Sequence, residues 1–257
     1  MPEETLDLPY SKRIILKLQE YYLLTFKGLI GIFQKPLYIH DTLNLINLAG
    51  PGTTGVVILI MIFAGMALTL QLYSQTVVLG FEAQIGRLIT LSVVKEIAPI
   101  TIALIFAGKV GAGITTEVAS MIQRHEIDTL RAFSVNPVLK IVTPRYIACL
   151  ITLPGLTFIG DLSALLGGYY ITSIENHIPS MTYWISVRSV LGLDNTLVGI
   201  VKPFIFGFII SSVSCHMGFN AKGGSIELKT ASTRAYVISA MYVMVSDFII
   251  TRILSFI

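Results

Sequence analysis

Long apolar runs separated by short charged segments dominate the pattern of hydrophobic and polar positions along this chain. The runs cover about residues 49–78, 97–121, 147–170, 196–217 and 235–257. Each exceeds the roughly 20 residues with which an α-helix crosses the hydrocarbon core of a bilayer. The pattern predicts an all-α integral membrane protein with about five transmembrane helices, folded as a single domain over residues 1–257.

Residues 11–35 show a different pattern, in which apolar positions recur at helical spacing and basic residues line the other side. The apolar positions are Ile14, Ile15, Leu18, Tyr22, Phe26 and Leu29, and the basic ones are Lys12, Arg13, Lys17, Lys27 and Lys35. A basic amphipathic helix of this kind typically lies in the membrane interface. We therefore expect an N-terminal interfacial helix ahead of the first span.

A charged segment at 123–136 joins the second and third apolar runs. Its sequence RHEIDTLR, from Arg124 to Arg131, places both charge signs within eight residues. Ile127, Leu130 and Phe133 add an apolar edge at helical spacing. We expect a short amphipathic helix at one membrane face, where a soluble partner can hold it.

Composition agrees with a membrane protein, because 54% of the 257 residues are hydrophobic and only 13% are charged. Soluble domains carry about 25% charged residues. The net charge of +3 is small and gives no reason to expect nucleic acid as a partner. Cys149 and Cys215 lie in apolar runs at a spacing that fits no zinc or redox motif, so we expect buried small side chains.

Lysine and arginine predict the orientation, since they are enriched in cytoplasmic segments of membrane proteins. With the N-terminus inside, the inside segments hold Lys12, Arg13, Lys17, Lys27, Lys35, Arg124, Arg131, Lys140, Arg145, Lys222, Lys229 and Arg234. The outside segments hold Arg87, Lys95, Arg188, Lys202 and Arg252. We therefore expect segments 123–143 and 218–234 in the cytoplasm and segment 171–195 outside. No cleavable signal or plastid transit peptide is expected, because no apolar core follows the first basic residues.

Sequence motifs of ATP binding and hydrolysis are missing from the chain. GKVGAG at Gly108–Gly113 lacks the Lys-Ser/Thr ending of a P-loop and lies inside an apolar run, so its small residues indicate close helix packing. The four histidines are scattered and form no cluster with cysteine, so we expect no catalytic site, metal or cofactor on this chain. Lys109 within this stretch either snorkels or pairs with Glu117, or it lines a transport path.

Acidic and basic residues inside the last run are a further exception to its apolar character. Asp247 and Arg252 are costly in lipid and should face protein, where a structural ion pair is favoured over a role in transport. The stretch AGPGTTG at 49–55 predicts a flexible or broken entry to the first span.

Two groups of short motifs identify a family. The first holds Glu96 and Pro99, AGKVGAGITTE (Ala107 to Glu117), EIDTL (Glu126 to Leu130) and VNP…PR (Val135 to Arg145). The second holds GFNAKGG (Gly218 to Gly224), STR (Ser232 to Arg234) and DF (Asp247 and Phe248). In this order they resemble the MlaE family, permease subunits of ABC transporters that move phospholipids in Gram-negative bacteria and plastids. The resemblance covers nearly the whole chain and implies a single permease domain.

The resemblance makes segment 123–136 a candidate coupling helix, the permease element that docks in a groove of the ATPase. Charge-assisted contacts to the ATPase would come from Arg124, Glu126, Asp128 and Arg131. A charged turn that only fixes topology is the alternative.

A second implied site lies near the outer face. The family carries Arg-Glu where this chain has Lys95-Glu96, and Leu-Gln-x-Tyr where Leu70 to Tyr73 stand. The resemblance implies that Leu70, Tyr73, Lys95 and Glu96 line an outward-facing lipid cavity between two copies of the subunit. The alternative is that Lys95 and Glu96 only mark the membrane–water boundary.

These expectations combine into a permease subunit that moves phospholipid between the bacterial inner membrane and an MCE-domain carrier, supporting outer-membrane lipid asymmetry. The implied partners are a second copy of the chain, an ABC ATPase that binds ATP and Mg, the MCE-domain protein and phospholipid. The alternative is an ion-coupled secondary transporter or membrane scaffold without an ATPase. A plastid envelope is the second choice of location.

Overall fold

The described part of the chain is helical throughout. The computed structural model describes residues 10–34, 38–221 and 223–254, which form ten α-helices and no β-strand. The helices are α1 (Tyr10–Gly31), α2 (Ile39–Leu79), α3 (Ile85–Ser92), α4 (Ala98–Phe106), α5 (Ala112–Gln123), α6 (Glu126–Ala132), α7 (Thr143–Tyr169), α8 (Ser180–Arg188), α9 (Leu193–Asn220) and α10 (Ser225–Leu254).

Five helical segments are long and apolar enough to cross a membrane. They are Ile39–Leu79, Glu82–Gln123, Val138–Ile174, Val198–Asn220 and Ile226–Leu254, here called the first to fifth spans. This result confirms the predicted all-α integral membrane class. We call the end of the molecule that carries α6 and the α9–α10 connection the α6 side. The opposite end, which carries α8, is called the α8 side.

The second and third spans contain π-helical turns between their α-helices. These turns are Val93–Ile97 and Ala107–Gly111 in the second span, and Val138–Val142 and Tyr170–Glu175 in the third. A π-helical turn replaces i→i+4 hydrogen bonds by i→i+5 bonds and often occurs at functional sites. Both turns of the second span hold charged residues, Lys95 and Glu96 in one and Lys109 in the other.

The predicted break before the first span is wrong. α2 begins at Ile39 and runs without interruption through residues 49–55, with Pro51 inside it. A proline in a helix loses its own hydrogen bond to the carbonyl four residues earlier, and helices of membrane proteins tolerate this loss. At 1.5 Å per residue the 41 residues of α2 extend about 60 Å, roughly twice the hydrocarbon thickness. α2 therefore projects beyond the bilayer.

The α9–α10 connection is shorter than the loop expected over residues 218–234. α9 continues to Asn220 and α10 begins at Ser225. Gly223 in this connection has φ +143°, a conformation that favours glycine. The tight turn therefore spans only a few residues, of which Lys222 lies outside the described part.

α2 and α7 form the most extensive helix pair of the structure. Two glycines bring their backbones together: a β-carbon at Gly65 would overlap the carbonyl of Ala164, and one at Gly167 would overlap that of Ile62. α9 packs in turn against α5, α7 and α10. The core lies between these helices, and Cys149 and Cys215 are buried in it as expected.

α1 packs beside this bundle. The Tyr21 hydroxyl lies 3.0 Å from Ser212 Oγ, and the Tyr21 ring packs edge-on against His216 of α9. Tyr22 and Phe26 stack on each other and stay exposed. The side chains of Lys12, Arg13, Ile14, Lys17 and Leu18, and all of Lys35, lie outside the described part. The interfacial position of α1 stays a prediction.

α8 closes the other end of the molecule with a cluster of aromatic rings. Tyr183 packs against Tyr169 and Trp184, and its hydroxyl donates a 2.9 Å hydrogen bond to the Leu165 carbonyl. Burial raises the pKa of the Tyr183 hydroxyl, so it remains a donor at any physiological pH. Trp184 is more exposed than Tyr183. Tyrosine and tryptophan are enriched at membrane–water interfaces.

Candidate functional sites: an exposed charged helix, a buried charge cluster and a cleft

α6 is a short exposed helix set between two left-handed residues. His125 precedes it with φ +54° and Ser134 follows it with φ +57°. Arg124 Nε lies 3.1 Å from Glu126 Oε1, and Arg131 Nη1 lies 3.4 Å from Asp128 Oδ1. Exposed ion pairs of this kind contribute little to stability. The four charges therefore remain available to a partner that approaches from the α6 side.

Only part of the apolar edge expected for this segment packs against the core. Ile127 is buried, and Leu130 packs partly buried against the core. Phe133, expected on the same edge, is instead 75% exposed and directly follows the end of α6 at Ala132. The Gln123 side-chain amide donates a hydrogen bond to the Gly223 carbonyl. α6 is thus fixed at its base and presents charges and one aromatic ring outward.

The second site is a buried charge cluster around Lys202 of α9. Lys202 is 0% exposed, and its ammonium group lies 2.9 Å from Glu96 Oε2 and 2.8 Å from Asp247 Oδ1. It also donates to the Lys95 carbonyl at 2.7 Å and to Thr251 Oγ1 at 2.8 Å. Thr251 in turn donates a 3.0 Å hydrogen bond to Glu96 Oε1. Two carboxylates and one cation thereby join the second, fourth and fifth spans.

Lys202 is the residue that the sequence interpretation missed. The distribution of lysine and arginine places Lys202 among the outside charges, whereas the structure buries it completely. Asp247 forms an ion pair in which Lys202 supplies the cation, and the structural role of this pair stays a prediction. A lysine inside an apolar run, with acidic residues in two other runs, was the available signal, because an intramembrane charge needs a partner.

The residues predicted to line a lipid cavity lie on two different parts of the single chain. Leu70 is about half exposed and Tyr73 partly buried on α2, whose main neighbour is α7. Lys95 and Glu96 lie in the π-helical turn that packs against α9. Neither of the two cavities described next contains any of the four residues. A lipid cavity shared by two copies stays a prediction.

A cleft lies between α2, α5 and the start of α7. It consists of two adjoining cavities with volumes of about 620 and 380 Å³. Leu45, Leu48, Glu117 and Arg145 line both. The larger cavity reaches Glu126 of α6, and the smaller one reaches Lys109 inside the second span. The cleft therefore leads from the α6 side into the membrane-spanning part of the molecule.

Most charges of the cleft are matched in pairs. Arg145 Nη2 lies 2.9 Å from Glu117 Oε2, and Arg145 also donates a 2.6 Å hydrogen bond to the Ile141 carbonyl. Lys140 Nζ lies 2.5 Å from Asp41 Oδ2. Glu117, which the sequence offered as a partner for Lys109, is therefore bound to Arg145. Lys109 lines the smaller cavity and donates a hydrogen bond to the Gly52 carbonyl.

The sequence as a whole matches known proteins over most of its length. The family model of permease MlaE matches residues 42–253. A probable ABC transporter permease of Rickettsia typhi is 33% identical over 234 residues, which cover 91% of this chain and 90% of the relative. A probable ABC transporter permease of Synechocystis is 28% identical, covering 90% and 88%. The chloroplastic protein TRIGALACTOSYLDIACYLGLYCEROL 1 of Arabidopsis thaliana is 26% identical, covering 97% and 73%.

The match spans all five membrane-crossing segments, α6 and the Lys202 cluster, so the fold and both charged sites lie within the shared region. The chain belongs to the MlaE family of ABC transporter permeases.

Proposed function

We propose that this chain moves phospholipids between the bacterial inner membrane and an MCE-domain carrier, driven by a separate ABC ATPase, and so supports outer-membrane lipid asymmetry. Membership of a permease family carries the proposal. The lipid substrate has weaker support: one relative is named after a galactolipid, and the cleft combines an apolar wall with cationic side chains. ATP and Mg would bind to the ATPase, and two copies of the permease would form the pathway.

α6 is the element that would transmit the motion of the ATPase. It is anchored through buried Ile127 and exposes Arg124, Glu126, Asp128 and Arg131. A groove with complementary charges would bind such a helix through charge-assisted hydrogen bonds, each worth about 1.5–3 kcal/mol. Glu126 also lines the cleft, so a displacement of α6 would act directly on the wall of that cleft.

A charge reversal on α6 tests this role. Glu126→Lys or Asp128→Lys should reduce co-purification of the ATPase at least tenfold, since reversal replaces attraction by repulsion across the interface. Membrane insertion of the permease should be unchanged, because both side chains are exposed. Glu82→Lys on the α8 side provides a matched control. Unchanged co-purification of both α6 variants would contradict the coupling assignment.

The outer lipid cavity rests on Leu70, Tyr73, Lys95 and Glu96. Glu96 is partly exposed although it is bonded to Lys202 and Thr251, so one side of the buried cluster faces outward. In a dimer this polar side would contact a headgroup, and the exposed side chain of Leu70 would contact acyl chains. The N-terminus and α6 would then lie in the cytoplasm, as the distribution of lysine and arginine predicts.

Purification of the tagged chain from its native membrane, followed by mass spectrometry of bound proteins and lipids, tests the whole assembly. An ATPase, an MCE-domain protein and phospholipid are expected together. Recovery of the chain without a nucleotide-binding subunit would contradict the proposal and favour the secondary transporter or scaffold instead.

A further inference from the structure

Lys109 lines the smaller cavity of the cleft and, among the described residues, forms no ion pair with an acidic side chain. Among the described residues, Asp41 pairs with Lys140, Glu117 with Arg145, and no carboxylate lies within salt-bridge distance of Lys109. The ammonium group of Lys109 bonds the Gly52 carbonyl, and its side chain remains exposed to the cleft. A single carbonyl leaves donor capacity on an ammonium group, which has three N–H bonds.

Lys109 lies far from both ends of its membrane-crossing segment. Lys109 lies about 20 Å along the second span from its end at Gln123, at 1.5 Å per residue. Apolar and small residues flank Lys109 on both sides along the chain, so we expect it to lie in the membrane-spanning part. Intramembrane cations usually face a cavity and mark the path of a substrate or ion. Lys109 also lies in the π-helical turn Ala107–Gly111. Such turns often occur at functional sites.

The walls around Lys109 are apolar. Leu48, Val110, Ile114 and Ala148 line the smaller cavity, and its volume of about 380 Å³ lies within the range of about 300–1,000 Å³ for small-molecule sites. A second helix is about 10–12 Å wide and would not enter a space of this size. An apolar wall around one unmatched cation fits an acyl chain joined to an anionic group.

We propose that the cleft is a second lipid site, in which Lys109 binds the phosphate of a phospholipid on its way between the α6 side and the outer cavity. The larger cavity provides the entrance, and there Arg145 and Lys140 are occupied by their carboxylates. The phosphate therefore passes Arg145 and Lys140, which are already paired with carboxylates, and binds to Lys109, which is not. This inference rests on the proposed lipid transport and adds to it the route on the α6 side of the membrane.

Photochemical labelling of the permease–ATPase complex in nanodiscs tests the site. The probe is phosphatidylglycerol with a diazirine on one acyl chain, and labelled peptides are mapped by mass spectrometry. We expect label within segments 45–53 and 145–149, which contain residues that line the smaller cavity. Lys109→Gln should reduce this label about tenfold, the low end for a charged hydrogen bond, and Lys109→Arg should retain it.

Matched controls separate phosphate binding from a change in the cleft itself. Lys229→Gln removes an exposed lysine of α10 that does not line the cleft, and should leave labelling unchanged. A diazirine diacylglycerol, which lacks the phosphate, should label wild type and Lys109→Gln equally. Lysophosphatidylglycerol should compete with the probe and inorganic phosphate should not. Competition by inorganic phosphate as strong as that of the lysolipid would overturn the lipid assignment.

The position of the label distinguishes this inference from the proposed function. Label near Leu70 and Glu96 without label in the cleft would overturn the second site and leave phospholipid transport standing. Equal cleft labelling of wild type and Lys109→Gln would overturn the role of Lys109. Absence of phospholipid label from both places would contradict the proposed lipid substrate itself.

Discussion

Lys202 and Lys109 are both lysines inside membrane-crossing segments, but they differ in burial and in the number of their bonding partners. Lys202 is fully buried and bonded to two carboxylates, a carbonyl and a hydroxyl. Lys109 is exposed in a cleft and bonded to one carbonyl. A buried charge must have its bonding capacity satisfied within the protein, whereas a charge at a cavity can be satisfied by a ligand. The comparison indicates a structural role for Lys202 and a binding role for Lys109.

Removal of the Lys202 charge should have the largest effect on stability. Lys202→Met leaves Glu96 and Asp247 together without a cation in the membrane, which should destabilise the protein by roughly 3–5 kcal/mol. Thermal unfolding of the purified protein in detergent measures this. Addition of Asp247→Asn should recover part of the loss, because one buried carboxylate then disappears. Wild-type stability of Lys202→Met would show that water reaches the cluster and that the comparison with Lys109 is false.

A smaller effect is expected at Glu117. Its ion-pair partner Arg145 is only 5% exposed, while Glu117 itself is 43% exposed. Glu117→Gln leaves the Arg145 guanidinium with the Ile141 carbonyl, at a cost of about 1–3 kcal/mol in the same unfolding assay. Glu227→Gln on the exposed start of α10 is the control. Equal stability of the two variants would mean that solvent in the cleft replaces the carboxylate.

Neutralisation of Lys109 should have the smallest effect on folding. Lys109→Gln removes a charge that faces the open cleft and not the packed core, so stability should change by less than about 0.5 kcal/mol, as for other exposed positions. The unfolding midpoint of the variant, measured beside that of Lys202→Met, sharpens the contrast between the two lysines. A loss of several kcal/mol would make Lys109 a structural residue like Lys202.

The sequence predicts those features that depend on local composition. Run lengths identify five spans, and the charge pattern of residues 124–131 locates α6. The partners of Lys202 and the cleft around Lys109 depend on which helix faces lie together, and apolar runs of similar composition do not reveal this. The continuous course of α2 was missed because glycine and proline usually interrupt helices in water, whereas a bilayer favours a hydrogen-bonded helix despite them.

The glycine contacts between α2 and α7 have a mechanical consequence for transport. Gly65 and Gly167 place one backbone directly against the other, so neither helix can slide or rotate past its partner without a backbone collision. We therefore expect the two helices to move together in any conformational change. α10 is the most exposed of the later spans and is joined to its neighbours partly through the polar Lys202 cluster. We therefore expect the α2–α7 pair to stay rigid, and the helices around it to carry any movement that opens or closes a pathway.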